Sequence, residues 1–217
     1  MEPVMPGLYA SAPETLPFAT SLEVRAFLLR RDRGNLLVYS APTVAGDAES
    51  IEALGGISRQ YLNHWHEASF GCARTAEAFG AALLCHEEDG LSVARKCTVD
   101  ETFSEQAALD GDFELIPIPG HTQGATAYLW DSGEHRCLFT GDTIYLDKGE
   151  WIAAVLEGSS DRDDYIASLE LIRALEFDVL VPWATTSGRP DHALTDSADA
   201  QRRIDAILER LRRGENH

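Results

Sequence analysis

Three short segments of this 217-residue chain combine residue types and spacing that suit metal-dependent chemistry. His64 and His66 are separated by one residue and follow a strand-like run at residues 57–62. In an extended segment, residues i and i+2 point to the same side, so both imidazoles can face one point. His121 lies in a glycine-flanked loop after another strand-like run, and Asp142 ends a third. Imidazole and carboxylate groups at strand ends form a ligand set for a divalent ion.

Each segment alone also has an ordinary explanation. A His-X-His pair arises by chance, and the loops at residues 119–124 and 140–143 can simply turn the chain or bond its backbone. The order and spacing of all three segments together are much more specific than any one of them.

The elements that must position these residues are predicted as strands first, with helices interspersed and at the end. The first twenty residues carry four prolines, which predicts an irregular N-terminal arm over residues 1–20. Residues 199–213 form an amphipathic helix, with Ile204, Ile207, Leu208 and Leu211 on one face. The predicted strands are 24–29, 36–41, 57–62, 81–85, 113–118, 126–130, 136–139 and 177–181, and the earlier predicted helices are 47–54, 73–79 and 163–175.

Composition limits the class of protein. With 44% hydrophobic residues, the chain can form one globular domain over residues 1–217. The net charge of −18 repels nucleic acid and anionic membranes, so the expected partner is a small-molecule substrate. No apolar run is long enough to cross a membrane, and the first residues lack the basic-then-apolar pattern of a secretory signal. We therefore expect an acidic cytoplasmic protein whose four cysteines are buried free thiols.

The combination of motifs resembles the metallo-β-lactamase fold superfamily. The resemblance is carried by residues 62–66 (LNHWH), 119–124 (PGHTQG) and 138–143 (LFTGDT), and it covers about residues 27–182. It implies an α/β fold, an αββα sandwich of two mixed β-sheets flanked by helices, with a site at one edge. In the family this site usually holds two zinc ions and hydrolyses thioesters, lactones, β-lactams or phosphodiesters, while some members use one iron ion.

Three of the family's ligand positions carry other residues here. The motif His-X-His-X-Asp-His reads HWHEAS over residues 64–69, which puts Ala68 and Ser69 in place of the aspartate and the last histidine. The final histidine ligand of the family falls at Ala184. Glu67 is next to the missing aspartate, but strand alternation predicts that its side chain points elsewhere.

The ligands that remain match one metal position. The resemblance assigns His64, His66 and His121 to it, with Asp142 as a fourth ligand or as the group that orients water. We expect at most one divalent ion, with zinc favoured and iron possible, or none, because a second position would keep a single carboxylate.

Three functions are compatible with this reduced site. The first is a mononuclear hydrolase acting on a small ester, thioester or lactone, with Asp142 and His121 as catalytic residues. The second is a mononuclear iron oxygenase in which His64, His121 and Asp142 form the ligand triad. The third is a non-catalytic pseudoenzyme or binding module on the same fold.

Several residues near the inferred site have two interpretations. The aromatic residues Trp65, Tyr145, Trp151 and Trp183 either line an apolar pocket or fill the space that the lost ligands vacated. His192 either reaches the site or lies on a surface loop.

Overall fold

The computed structural model describes residues 1–16 and 19–217, and the chain divides into two compact units. Unit 1 spans residues 1–104 and unit 2 spans residues 105–217. Each unit contains a mixed β-sheet together with α-helices, so the predicted α/β fold class is confirmed. The assignment of the whole chain to a single domain stays a prediction.

Unit 1 is built on a seven-stranded sheet. Its elements are β1 (Glu2–Met5), β2 (Leu8–Ala10), β3 (Glu14–Leu16), β4 (Ala19–Val24), β5 (Phe27–Leu29), β6 (Leu36–Val38), α1 (Ala48–Ala53), β7 (Arg59–Tyr61), α2 (Phe70–Phe79), β8 (Ala82–His86), α3 (Glu87–Val93) and β9 (Glu101–Phe103), with 3-10 helices at Pro42–Asp47 and Trp65–Glu67. The strand order is β1-β2-β5-β6-β7-β8-β9. Neighbouring strands are antiparallel from β1 through β2 and β5 to β6. They are parallel from β6 through β7 and β8 to β9. Strands β3 and β4 form a separate antiparallel pair.

The prediction of an irregular arm over residues 1–20 is wrong for its described part, because β1, β2 and β3 lie there. Strand β1 contains Pro3 and is the edge strand of its sheet. An edge strand tolerates proline, since the missing N–H can face away from the ladder. Gly7, with φ of 79°, makes the turn into β2. Residues 17 and 18 lie outside the described residues.

Unit 2 contains a six-stranded mixed sheet in the order β10-β11-β12-β13-β16-β18. Its elements are β10 (Ala107–Leu109), β11 (Phe113–Pro117), β12 (Thr126–Asp131), β13 (Arg136–Gly141), β14 (Tyr145–Asp147), β15 (Glu150–Ile152), α4 (Arg162–Ala174), β16 (Val179–Pro182), β17 (Ala184–Thr186), β18 (Ala193–Leu194) and α5 (Ser197–Arg212). Strands β10 to β13 pair antiparallel, and β16 is parallel to β13. Strand β14 pairs with β15 and β17.

The two helices of unit 2 are amphipathic and bury their apolar faces in its core. Helix α4 begins after Asp161, whose carboxylate accepts hydrogen bonds from the N–H groups of Asp163 and Asp164. Helix α5 confirms the helix predicted over 199–213, although it begins at Ser197 with Asp196 as its N-cap. Its buried residues, which include the predicted apolar face, are Ala200, Ile204, Ile207, Leu208 and Leu211.

Every other predicted strand and helix overlaps an observed one, usually with shifted ends. Within residues 1–16 and 19–217, no helix combines the length and the apolar character that crossing a membrane requires.

Candidate metal centre

The first two predicted ligands, His64 and His66, lie in a tight turn that follows strand β7. His64 has extended backbone angles, and Trp65–Glu67 then forms a 3-10 helix. The rings of His64 and His66 are 5.0 Å apart between centroids and meet edge to face. The structure therefore brings the two imidazoles together, as the sequence predicted. The predicted reason is wrong, because the helical turn rather than an extended segment sets their positions.

Glu67 has a role in this turn that the sequence did not predict. Its buried carboxylate accepts hydrogen bonds from the backbone N–H of Asn63 at 3.0 Å and of His64 at 3.3 Å. The same Oε1 lies 3.0 Å from Nδ1 of His64, and Asn63 Oδ1 lies 3.0 Å from that nitrogen. Because a carboxylate only accepts, Nδ1 carries the proton, and Nε2 is the nitrogen that can ligate a metal.

Helix α3 also supports the turn. The buried carboxylate of Asp89 accepts a hydrogen bond from the N–H of Trp65 at 2.9 Å. A buried backbone donor needs such a partner, because leaving it unsatisfied costs about 1–3 kcal/mol. The turn that carries both histidines is thus fixed by Glu67 from within and by Asp89 from the neighbouring helix.

His121 is positioned by the loop between β11 and β12. Its Nδ1 lies 2.7 Å from the carbonyl oxygen of Ala154, so this ring also carries its proton on Nδ1 and offers Nε2. The hydroxyl of Ser160 donates to the His121 carbonyl at 2.9 Å, which fixes the backbone of the histidine. The adjoining Gly120 has φ of 137° and packs its α-carbon directly against the backbone of Tyr165 in α4.

Asp142 follows β13, as predicted, and lies beside His121. Its Oδ2 is 3.9 Å from His121 Nε2, and its side chain is 20% exposed. Two atoms that ligate one ion at ~2.1 Å are at most ~4.2 Å apart, so this separation suits two ligands of one ion. The hydroxyl of Tyr165 donates to the Thr143 carbonyl at 2.6 Å and accepts from the N–H of Ala154 at 3.0 Å. One tyrosine thereby ties together the backbone that follows Asp142 and the backbone that holds His121.

The positions where the family's other ligands were expected have structural roles instead. Ser69 is the N-cap of α2, and its hydroxyl accepts a hydrogen bond from the N–H of Gly71 at 3.2 Å. Ala68 and Ala184 are buried and carry only methyl groups. None of these three side chains can act as an imidazole or carboxylate ligand.

Two of the aromatic residues pack rather than line a pocket. Trp151 is 3% exposed, belongs to the core of unit 2 and stacks on Phe177 at 6.3 Å between ring centroids. Trp65 packs against a small apolar cluster around Cys72, and its ring lies 3.9 Å from that of His66. The space-filling interpretation is therefore the better one for these two residues.

A cavity of about 360 Å³ adjoins the turn in unit 1. It is lined by Ala68, Ser69, Arg95 and Lys96. The ammonium group of Lys96 lies 5.9 Å from the centroid of the Trp65 ring, which in turn contacts His66. Two positive charges therefore stand beside the predicted site of a strongly acidic protein.

The remaining histidines have other partners. His86 caps α3 by accepting from the N–H of Glu88 at 3.3 Å. His135 and His192 pair with Asp178 and Asp191 at 2.9 Å and 2.8 Å, respectively. His192 is only partly buried, which agrees with a surface loop.

The donor set fits a divalent metal ion. Among the residues that the structure describes, His64 and His66 of unit 1 and His121 of unit 2 each offer one imidazole nitrogen that could ligate such an ion. Histidine ligands typically donate their second ring nitrogen to a carboxylate or a backbone carbonyl, as His64 and His121 do here. The catalytic assignments of Asp142 and His121 stay predictions.

Comparisons with known proteins give the family. The family model of the metallo-beta-lactamase superfamily matches residues 56–184, which is more than half of the chain. The chain therefore belongs to the metallo-beta-lactamase superfamily, as the motifs predicted. No curated protein sequence matches it significantly.

Solved structures resemble the whole chain at low sequence identity. A metallo-beta-lactamase from Pontibacter korlensis is 15% identical with a TM-score of 0.69, and the match covers 96% of this chain and 97% of that chain. A metallo-beta-lactamase from Cronobacter sakazakii described by its HARLDQ motif is 17% identical with a TM-score of 0.68, covering 97% and 92%. The DIM-1 metallo-beta-lactamase exposed to ceftazidime is 15% identical with a TM-score of 0.70, covering 96% and 95%. At these identities the likeness establishes the fold.

Proposed function

We propose that this protein is a mononuclear metal-dependent hydrolase of small esters, thioesters or lactones. His64, His66 and His121 would hold one divalent ion, and Asp142 would be its fourth ligand or would orient the attacking water. The observation that carries the proposal is the anchoring of Nδ1 in His64 and His121, which presents Nε2 of both rings for ligation. Membership of the superfamily supports the same assignment.

When bound, a divalent ion supplies a Lewis acid that polarises a carbonyl and lowers the pKa of water to about 7. The chain's own residues then have separate tasks. Asp142 is partly exposed, so its carboxylate can accept a hydrogen bond from a water molecule and take its proton. Glu67 and the Ala154 carbonyl hold the imidazoles of His64 and His121 in one orientation.

The proposal includes one ion and excludes a second. A stable zinc position needs three or four protein ligands. Ala68 and Ala184 offer none, and the hydroxyl of Ser69 already caps α2. Asp142 alone would be left to hold a second ion.

The test begins with metal content. Chelator-treated protein is titrated with Zn²⁺, Mn²⁺ or anaerobic Fe²⁺, and bound metal is measured by elemental analysis. Each form is then assayed on a panel of neutral and acidic esters, thioesters and lactones. We expect one equivalent of metal and turnover that is lost in His121→Ala and Asp142→Asn but kept in His135→Ala.

Two outcomes would replace the proposal. Protein that retains no metal under any condition would be the pseudoenzyme, a function that the buried methyl groups of Ala68 and Ala184 favour. Iron binding with oxygen uptake and without hydrolysis would indicate the oxygenase, for which the proximity of His121 and Asp142 is the supporting observation. Two tightly bound ions would contradict the mononuclear site.

A further inference from the structure

Two of the four cysteines meet at the first turn of α2. The thiol of Cys97 donates to the carbonyl oxygen of Ser69 at 3.1 Å, and the backbone N–H of Cys72 donates to that same oxygen at 3.1 Å. Both residues therefore lie beside Ser69, whose hydroxyl is 3.5 Å from the hydroxyl of Ser40. The thiol of Cys72 also contacts the hydroxyl of Ser40 at 3.2 Å. Both thiols are free and lie in one apolar cluster of unit 1.

The surroundings of these thiols differ from those of the other two cysteines. The neighbouring Cys72 thiol, together with the nearby backbone of α2 and the charge of Lys96, lowers the pKa of Cys97 to about 7. The neighbouring Cys97 thiol, and burial, raise the pKa of Cys72. Burial raises the pKa of Cys85 and of Cys137 to about 12. A thiolate is the form that reacts with oxidants, and Cys97 has the lowest pKa of the four cysteines.

The two thiols lie close to a cavity of unit 1. Cys97 is 6% exposed, and its neighbour Lys96 and its hydrogen-bond partner Ser69 both line the cavity of about 360 Å³. Bulky disulfides would be excluded by this burial, whereas hydrogen peroxide is little larger than water.

We propose that Cys97 and Cys72 form a peroxide-reactive pair that closes to an intramolecular disulfide. The thiolate sulfur of Cys97 attacks one oxygen of hydrogen peroxide, the O–O bond breaks, and the leaving hydroxide takes a proton to become water. Cys97 is now a sulfenic acid. The sulfur of Cys72 attacks the sulfur of Cys97, the S–O bond breaks, and the hydroxyl group leaves with the thiol proton of Cys72 as a second water molecule. Two thiols are oxidised and one peroxide is reduced.

The proposal is tested on the reduced full-length chain. The protein is treated with a small excess of hydrogen peroxide, alkylated after denaturation, digested without reductant and analysed by mass spectrometry. We expect the intact protein to lose two hydrogen atoms and to yield one cross-linked peptide pair containing Cys72 and Cys97. Cys85 and Cys137 should remain fully alkylated, and Cys137→Ser, the matched control, should behave like the unmodified chain.

Two variants separate the steps. In Cys72→Ser, oxidation should stop at the sulfenic acid of Cys97, which dimedone labels. Cys97→Ser should show neither the dimedone label nor the disulfide. Circular dichroism confirms that each variant is folded. The proposal is overturned if the unmodified chain forms no disulfide while peroxide is consumed by Cys85 or Cys137. It is also overturned if Cys97 and Cys72 remain reduced at peroxide concentrations that oxidise the partly buried Met1 and Met5.

Discussion

At the scale of single residues, Glu67 decides how the candidate centre is organised. Its carboxylate is buried, and it bonds two backbone N–H groups as well as the ring of His64. It therefore fixes both the orientation of the His64 ring and the nitrogen that faces a ligand.

Replacing Glu67 by glutamine should weaken metal binding without unfolding the chain. In Glu67→Gln the amide oxygen can still accept the backbone bonds, but the negative charge that makes His64 a stronger donor is lost. Removing such a supporting partner typically lowers metal affinity by ~10–100-fold. A zinc titration against a fluorescent competing chelator measures the change.

The control for that substitution is Glu77→Gln, which makes the same chemical change at an exposed glutamate of α2. It should bind zinc like the unmodified chain. Equal affinities for the Glu67 and Glu77 variants would show that Glu67 has only a folding role.

The residues of the site divide into those that sequence could find and those that it could not. His64, His66, His121 and Asp142 stand in a recognisable order along the chain. The role of Glu67 was missed because the prediction treated this segment as extended, whereas Trp65–Glu67 forms a 3-10 helix. A glutamate three residues after a helix start often bonds back to it, and this capping pattern was the available signal.

At the scale of elements, the loop between β11 and β12 depends on its contact with α4. The hydroxyl of Ser168 donates to the carbonyl of Pro119 at 2.7 Å, and the carbonyl of Gly120 accepts from the N–H of Asp161 at 2.9 Å. A side chain at residue 120 would collide with α4, since its Cβ would lie 2.4 Å from the Tyr165 Cα. Only glycine allows the loop and the helix to come this close.

Gly120→Ala should therefore be strongly destabilising. Backbone strain at φ of 137° adds to the collision, and together they should lower the free energy of unfolding by roughly 2–6 kcal/mol. Urea denaturation followed by circular dichroism measures this loss. Gly133→Ala is the matched control, because its φ is 86° and nothing lies within 4 Å of the added carbon. The control should lose only about 1–2 kcal/mol, and equal losses would contradict the close approach.

Helices and strands with a clear apolar periodicity could be predicted from the sequence, whereas strands of three or four residues could not. Helix α5 and the buried strands β11 to β13 have long apolar periodicities, and they appear close to where they were expected. Strands β1 to β3 have three or four residues each and lie among prolines. Their pairing depends on partners distant in sequence, which local patterns do not contain.

At the scale of the whole molecule, the net charge opposes the approach of acidic substrates. The chain carries 36 acidic and 18 basic side chains, and Lys96 and Lys148 are its lysines. Lys96 and Arg95 line the cavity beside the histidine turn, so they form a local positive patch within a negative molecule. Long-range repulsion and short-range attraction then act in opposite directions on an anionic substrate.

Salt should separate these two effects. The Debye length falls to ~10 Å at 0.1 M salt, so added salt screens the distant negative charges more than a cation in direct contact. For the proposed hydrolase, kcat/KM for an ester with a free carboxylate should rise, by up to about tenfold, between low and physiological salt. The value for a matched neutral ester should stay constant, and stopped assays over a salt series measure both.

The local patch is tested by Lys96→Gln against Lys148→Gln, which removes the exposed lysine of the β14–β15 turn. An exposed charge contact contributes about 0.2–1 kcal/mol. Lys96→Gln should therefore lower kcat/KM for the acidic ester by about 1.5–5-fold, with no effect on the neutral ester. Lys148→Gln should change neither value. If both lysine variants reduce turnover of the acidic ester equally, the net charge alone governs approach and the cavity has no part in it. If Lys96→Gln lowers turnover of both esters equally, Lys96 acts on the shape of the turn rather than on the charge of the substrate.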